Sequence, residues 1–267
     1  MRSQRQVSTN SVIGLAAVTP VYREPNLRAE QVTQIVLGET GRTLEVSGVW
    51  RRVRLDLDHY EGWVHSGYLL ETDHEVARAW RQSAGGWSEG AVAEGQEGGI
   101  LRLPVRSRVG LVSPRVDLPN GHRAVLISGT VTPHDRVVGR ARASSPDLWA
   151  LQTFAGAPYQ WGGVTPWGVD CSGLVQTTFL ARGLVLPRDA AQQALKGEPV
   201  SLGEHRPGDL LFFSDDGDRI THVALAGPGD TLVHSTVACG GTVLEPWGPG
   251  SRAAALRDQL VTIRRVE

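Results

Sequence analysis

Cysteine is nearly absent: Cys171 and Cys239 are the two cysteines in a chain of 267 residues. Two thiols cannot staple a protein of this size, so a disulfide scaffold is excluded and each thiol is judged by its surroundings. Long apolar runs are missing too. The longest near the start, Val12 to Val18, is broken by Gly14 and falls far short of the roughly 20 residues that a membrane-spanning helix needs. No sign of charge dominates. The 27 basic and 28 acidic residues are scattered, for a formal net charge of -1 and a pI near 6.7, which points away from nucleic acid or an anionic membrane as partner. A convincing leader is also lacking, because the polar residues Ser8 to Ser11 part Arg2 and Arg5 from the apolar run that should follow directly. The expected location is cytoplasmic, or extracytoplasmic if a longer natural chain was trimmed.

What is present is ample apolar content, 40% of residues, enough for real cores in one large domain or two to three small ones. From about residue 10 to 140 short segments alternate apolar and polar residues between Gly, Pro and Asn, as in Thr43-Leu44-Glu45-Val46, Trp50 to Leu55 and Gly62-Trp63-Val64. Period-2 alternation predicts half-buried antiparallel strands. The polar, Gly-rich stretch from Ser83 to Gly99 reads as a linker or long loop before further strands around Ile100 to Leu103 and Ala124 to Val131. After Pro146 the character changes. Asp147 to Phe154 predicts an amphipathic helix with Asp147 as N-cap or first-turn acid. Leu174 to Arg182 predicts a helix with a buried face, closed by Gly183, and strands follow at 209–213, 222–226 and 231–235.

Cys171 opens that second helix, in Asp170-Cys171-Ser172-Gly173-Leu174. A thiol attacks a carbonyl as the thiolate, and a helix start, with its unpaired N–H groups and dipole, favours that anion. His222, on a strand whose alternating neighbours Ala224 and Ala226 are small, is the candidate general base. His234 on the next strand is the candidate that holds the second imidazole nitrogen of His222. Either feature alone has a plainer reading, a structural thiol or two histidines at a sheet edge. Cys239, in the small-residue turn Ala238-Cys239-Gly240-Gly241, reads as a partly buried structural thiol. A zinc site is disfavoured by the absence of Cys-x-x-Cys and His-x-x-x-His spacing and of a clear fourth ligand, and no cofactor is expected.

The joint pattern resembles the NlpC/P60 family of papain-like cell-wall peptidases. It is carried by Tyr159-Gln160-Trp161-Gly162-Gly163, the run around Cys171, Leu186-Pro187-Arg188-Asp189, Pro207-Gly208-Asp209-Leu210, Thr221-His222-Val223 and Val233-His234-Ser235, over about Leu148 to Val266. The earlier strands resemble bacterial SH3-type barrels, with Tyr60-Glu61-Gly62-Trp63-Val64 and Gly67-Tyr68-Leu69 as their last-strand phrase. The implied architecture is multidomain: a small all-β SH3-like barrel at 10–72, a linker and second barrel at 73–142, and an α+β papain-like catalytic domain at 147–267.

The resemblance implies a Cys171-His222-His234 triad cutting γ-D-glutamyl to L-diamino acid bonds in peptidoglycan-derived peptides with a free N-terminal L-alanine. It also implies that the first barrel lends a tyrosine, Tyr60 or else Tyr68, that Asp189 pairs with the substrate ammonium, and that Tyr159 reaches the cysteine and Trp161 lines the pocket. Asp170 and Ser172 take substrate-facing or oxyanion-side roles, with Arg188 beside them. Open alternatives are a helix cap for Asp189, a core carboxylate partner for Arg188 and plain packing for Tyr159 and Trp161. Ala190 stands where the subgroup often has serine, which removes one hydroxyl contact to the amine. The rival functions are an amidase or acyltransferase with the same triad, and a non-catalytic wall-binding protein.

Overall fold

The computed structural model describes residues 10–112 and 114–267, so Arg2, Arg5 and Ser8, on which the leader reading rests, lie outside the described residues. The chain divides into two units, up to His134 and from Asp135 on. No helix among the described residues is long and apolar enough to cross a membrane.

In the first unit, strands β1 (Ser11–Gly14), β2 (Val18–Tyr22), β3 (Gln31–Val36), β4 (Thr40–Ser47), β5 (Trp50–Leu55), β6 (Glu61–His65) and β7 (Leu69–Thr72) form one antiparallel sheet in the order β3-β2-β6-β5-β4-β1-β7. The alternation read from the sequence holds in β5 and β6, where Val53, Leu55 and Val64 are buried while Arg52 and Arg54 face water, but not in β4, where Leu44 and Val46 are exposed. Val12, Val21, Ile35, Val53 and Val64 meet in its core, with Tyr60 packed against them. Helix α1 (His74–Ser83), capped by Asp73 accepting from the Val76 amide at 2.8 Å, leads to a second sheet.

That sheet comprises β8 (Gly86–Gly95), β9 (Ile100–Leu103), β10 (Arg108–Val112), β11 (Arg115–Asp117) and β12 (Arg123–Pro133), in the order β10-β11-β12-β8-β9. The linker expected over 83–99 is therefore mostly a ten-residue strand, β8. Its polar look comes from Glu89, Gly90 and Glu94, which face outward, while Trp87, Ala91 and Ala93 are buried. Pairing with both β12 and β9 overrides a composition poor in β-formers.

The second unit begins with α2 (His134–Arg142, its first residue at the boundary) and α3 (Pro146–Phe154). Ser145 occupies the N-cap of α3, so Asp147 is the first-turn acid and not the cap. The hairpin β13 (Val164–Thr165) and β14 (Gly168–Val169) precedes α4 (Cys171–Ala181), the short α5 (Ala190–Gln193) and strands β15 (Glu198–Val200), β16 (Leu210–Phe213), β17 (His222–Ala226), β18 (Thr231–Thr236), β19 (Gly241–Pro246) and β20 (Leu260–Arg265). The six strands form an antiparallel sheet in the order β15-β20-β16-β17-β18-β19. Leu174, Val175 and Phe179 of α4 join Phe212, Val223, Leu225 and Val233 in one core cluster, and Leu211, Phe213, Ala224, Leu232 and Trp247 build a second. Successive residues of β16 thus enter different cores, so a strand buried on both faces reads as an unbroken apolar run.

All of α4 is buried. Its polar side chains are satisfied inside: Gln176 donates to Leu186 O at 3.1 Å, Thr177 to Val164 O at 2.8 Å and Thr178 to Leu174 O at 2.8 Å. Gly183, at a φ of 78°, ends the helix in the left-handed conformation that only glycine adopts without cost, as its sequence position predicts.

Candidate active site

Cys171 is the first residue of α4, and Asp170 is its N-cap, accepting from the Gly173 amide at 2.7 Å. The same carboxylate accepts from the Gly162 amide at 2.8 Å and from Arg188 Nη2 at 2.6 Å, while Arg188 Nη1 donates to Ser172 Oγ at 2.8 Å. Gln193 ties the Ser172 and Pro187 carbonyls at 3.0 and 2.8 Å. Gly173 has a reason of its own: a Cβ there would lie 2.0 Å from the Gly163 carbonyl oxygen, so the tight loop and the helix start can touch only through glycine. Asp170, Ser172 and Arg188 are all buried and bind one another. They hold the helix start in place, and Arg188 takes a core carboxylate, the alternative left open above.

The thiol is not held as an anion in the resting site. Burial, and next the Asp170 carboxylate, push the Cys171 pKa up to about 12, against the smaller pull of the Val223 and Ser172 amides and Arg188. Desolvation of the sulfur opposes the lowering expected from the helix start. The Val223 amide that reaches the sulfur belongs to the residue next to His222.

His222 Nε2 lies 2.7 Å from His234 Nδ1, and His234 Nε2 lies 2.7 Å from Glu245 Oε1. Arg252 closes the line by donating to the same Glu245 oxygen. Burial, and then His234, lower the His222 pKa to about 3; burial lowers that of His234 as well, opposed by Glu245. Both rings are therefore neutral at rest, and the carboxylate fixes their tautomers. Glu245 only accepts, so His234 carries its proton on Nε2 and offers the lone pair of Nδ1. His222 must then donate from Nε2, which leaves its Nδ1 as a lone pair able to take a proton. Sequence reasoning placed the two histidines but missed Glu245 and Arg252. Glu245 is a buried acid that reaches His234 because its strand pairs with that of His234 through Val243, which no sequence motif marks.

Tyr159 is half-buried, and burial, then the nearby Cys171 and Asp170, raise its phenol pKa. Trp161 is 58% exposed. A second indole that the sequence reading passed over, Trp167, is 49% exposed on the hairpin just before Cys171. Asp189 sits at the N-cap of α5 but makes no capping hydrogen bond there. Tyr60 and Tyr68 belong to the first unit. Cys239 is exposed, contrary to the partly buried thiol expected, because its turn rides on the surface between β18 and β19. No three His, Cys, Asp or Glu among the described residues are grouped to hold a metal ion.

Comparison with known proteins matches residues 156–246 to the NlpC/P60 family and residues 21–69 to the bacterial dipeptidyl-peptidase Sh3 domain. A Bacillus subtilis protein named gamma-D-glutamyl-L-lysine dipeptidyl-peptidase is 30% identical over 220 residues, 76% of this chain and 71% of the relative. A Bacillus cereus protein of the same name is 34% identical over 137 residues, 50% of this chain and 41% of its own length. The crystal structure of an NlpC/P60 family protein from Bacillus cereus superposes with a TM-score of 0.77 at 21% identity, over 96% of this chain and 99% of that one.

Proposed function

Because the chain belongs to the NlpC/P60 family of cysteine-type peptidoglycan peptide hydrolases, with an SH3-like β-rich region ahead of a papain-like α+β domain, we propose that it hydrolyses the γ-D-glutamyl to L-diamino acid bond of stem peptides, with Cys171 as nucleophile. The observation that carries the reading is the line from His222 through His234 to Glu245, which leaves one basic nitrogen for a buried neutral thiol.

The chemistry follows from that neutral resting state. As the sulfur attacks the γ-carbonyl, the thiol proton passes to His222 Nδ1 and an S–C bond forms, so separated charge arises only with substrate in place. The Cys171 amide, one of the N–H groups that a helix start leaves without an intrahelical acceptor, receives the oxyanion. The imidazolium, steadied through His234 by Glu245, gives its proton to the departing amine as the C–N bond breaks. Water then gives its hydroxyl to the acyl carbon as the S–C bond breaks, and its proton passes through His222 back to the sulfur. Asp189, at the N-cap of α5, is the acid assigned to a substrate ammonium.

The test is release of the dipeptide from L-Ala-γ-D-Glu-L-Lys. Cys171→Ala is expected to abolish it and a chelator to leave it unchanged; turnover that survives in Cys171→Ala overturns the reading. Acetylating the N-terminal alanine is expected to slow cleavage at least about tenfold, the loss of one charge-assisted contact, and undiminished cleavage removes the amine-recognition role from Asp189.

A further inference from the structure

The second unit holds a cavity of about 460 Å³, inside the ~300–1,000 Å³ usual for ligand pockets. It lies at the far end of α4. Cys171 opens that helix and Arg182 is its C-cap, roughly 16 Å away at ~1.5 Å per residue, and none of Cys171, His222 and His234 is in the lining. One wall is Pro207-Gly208-Asp209, part of a motif that the peptidase chemistry leaves without a role. Gly208 has a φ of 93°, and a Cβ on it would lie 2.3 Å from Pro146 Cδ. The lead into β16 and the start of α3 therefore touch through glycine, which fixes this wall before any ligand arrives.

Four guanidiniums line the cavity, Arg142, Arg182, Arg206 and Arg265, against the two carboxylates Asp209 and Glu267, an excess of two positive side-chain charges. The acids are already paired. Asp209 accepts from Arg265 Nε and Nη2 at 2.9 and 2.7 Å, and Glu267 accepts from Arg206. Arg142 and Arg182 bind no carboxylate among the described residues; they cap helices instead. Arg142 Nε donates to Arg182 O at 2.8 Å, and Arg182 Nη1 donates to Ala141 O and, at 2.8 Å, to Ser144 O, so each arginine closes the end of the other's helix. Capping accounts for one nitrogen of each. It leaves both Nη atoms of Arg142, and Nε and Nη2 of Arg182, without an acceptor among the described residues. Burial, and next Arg142, lower the Arg182 pKa, the mark of two like charges held together at a cost.

The geometry points to a binding site for a small phosphomonoester, a phosphate dianion on an organic group about the size of a sugar. Two neighbouring forks match a phosphate, with its charge of about −1.5 to −2 and its three acceptor oxygens, whereas a carboxylate brings a single charge and engages one fork. Pro146, Leu184, Pro207 and Val266 supply apolar wall for the organic group, and inorganic phosphate alone leaves most of the volume unfilled. The site draws on no residue of the line from Cys171 to Glu245, so it stands whether or not γ-glutamyl peptides are the substrate.

Isothermal titration calorimetry of the full chain with glucose 6-phosphate, in a buffer free of phosphate and sulfate, tests the site. The expected Kd is about 1 mM or tighter. Inorganic phosphate lacks the organic group and glucose 6-(methyl phosphate) carries one charge; each is expected to bind at least about threefold more weakly, and glucose not at all. Arg142→Gln is expected to weaken glucose 6-phosphate about tenfold, the loss of one charge-assisted contact, and Arg182→Gln likewise. Arg142 is exposed, so its variant decides the matter if Arg182→Gln does not fold. No binding of glucose 6-phosphate at ~10 mM, or an affinity unchanged in Arg142→Gln, overturns the site. Inorganic phosphate or the methyl diester binding as tightly as glucose 6-phosphate overturns the assignment to a phosphomonoester.

Discussion

Glu245 acts on the chemistry only through His234, and that indirectness makes its effect separable from substrate binding. Glu245→Gln keeps the shape and removes the charge, so the amide can meet His234 Nε2 as donor as readily as acceptor, and the tautomer of both rings is no longer dictated. The expected outcome is kcat lower by about 100-fold with KM changed less than about threefold, measured on the lysine tripeptide; a rise in KM with kcat intact would show a binding role instead. Arg188 gives a second residue-scale case. Its pair with Asp170, at 2.6 Å and buried on both sides, becomes a lone buried carboxylate in Arg188→Met, which should cost about 3–5 kcal/mol in chemical denaturation. Much of this was legible beforehand. Cys171, His222 and His234 stand in ordered motifs, whereas Glu245 is brought to His234 by strand pairing that no local pattern announces, and the destination of Arg188 depended on a loop closing back over the helix start.

At the scale of elements, α4 was readable because its apolar positions and Gly183 agree with one another, and β8 was not because its inward residues are small and its outward ones polar. Short glycine-bearing segments take their conformation from what pairs with them, and Gly86–Gly95 is paired on both sides. Gly173 shows the opposite dependence, an element fixed by one close approach. In Gly173→Ala the new Cβ would meet the Gly163 carbonyl oxygen at 2.0 Å and Asp170 Oδ1 at 3.1 Å, so backbone and cap must both shift. A loss of about 3 kcal/mol is expected, accompanied by loss of turnover because the sulfur moves with the helix start. A cost below about 1 kcal/mol in urea titration would mean that loop and helix can part freely.

For the whole molecule, a net charge of -1 from 27 basic and 28 acidic residues gives little self-repulsion near neutrality, so stability against pH is carried by individual shifted groups. His222 is lowered in the fold from 6.5 to about 3; between those values the unfolded chain binds a proton that the native one refuses, so stability falls as the pH drops through that range. Cys171 is raised from 9.0 to about 12; between those values the native state keeps a proton that the unfolded one has lost, so stability falls as the pH rises. Tyr159, raised from 10.0, adds to the alkaline loss further up. The chain should therefore be most stable between about pH 7 and 9. In thermal unfolding followed by circular dichroism, Cys171→Ala should flatten the decline in Tm between pH 9 and 10, where the thiol titrates ahead of the phenol, and leave the acid side as it is. A wild-type Tm that holds steady from pH 9 to 11, or a Cys171→Ala curve that declines in parallel with the wild type, would show that the sulfur is not desolvated in the resting enzyme. The thiol would then sit there partly as the anion, and the proton would have reached His222 before substrate arrived.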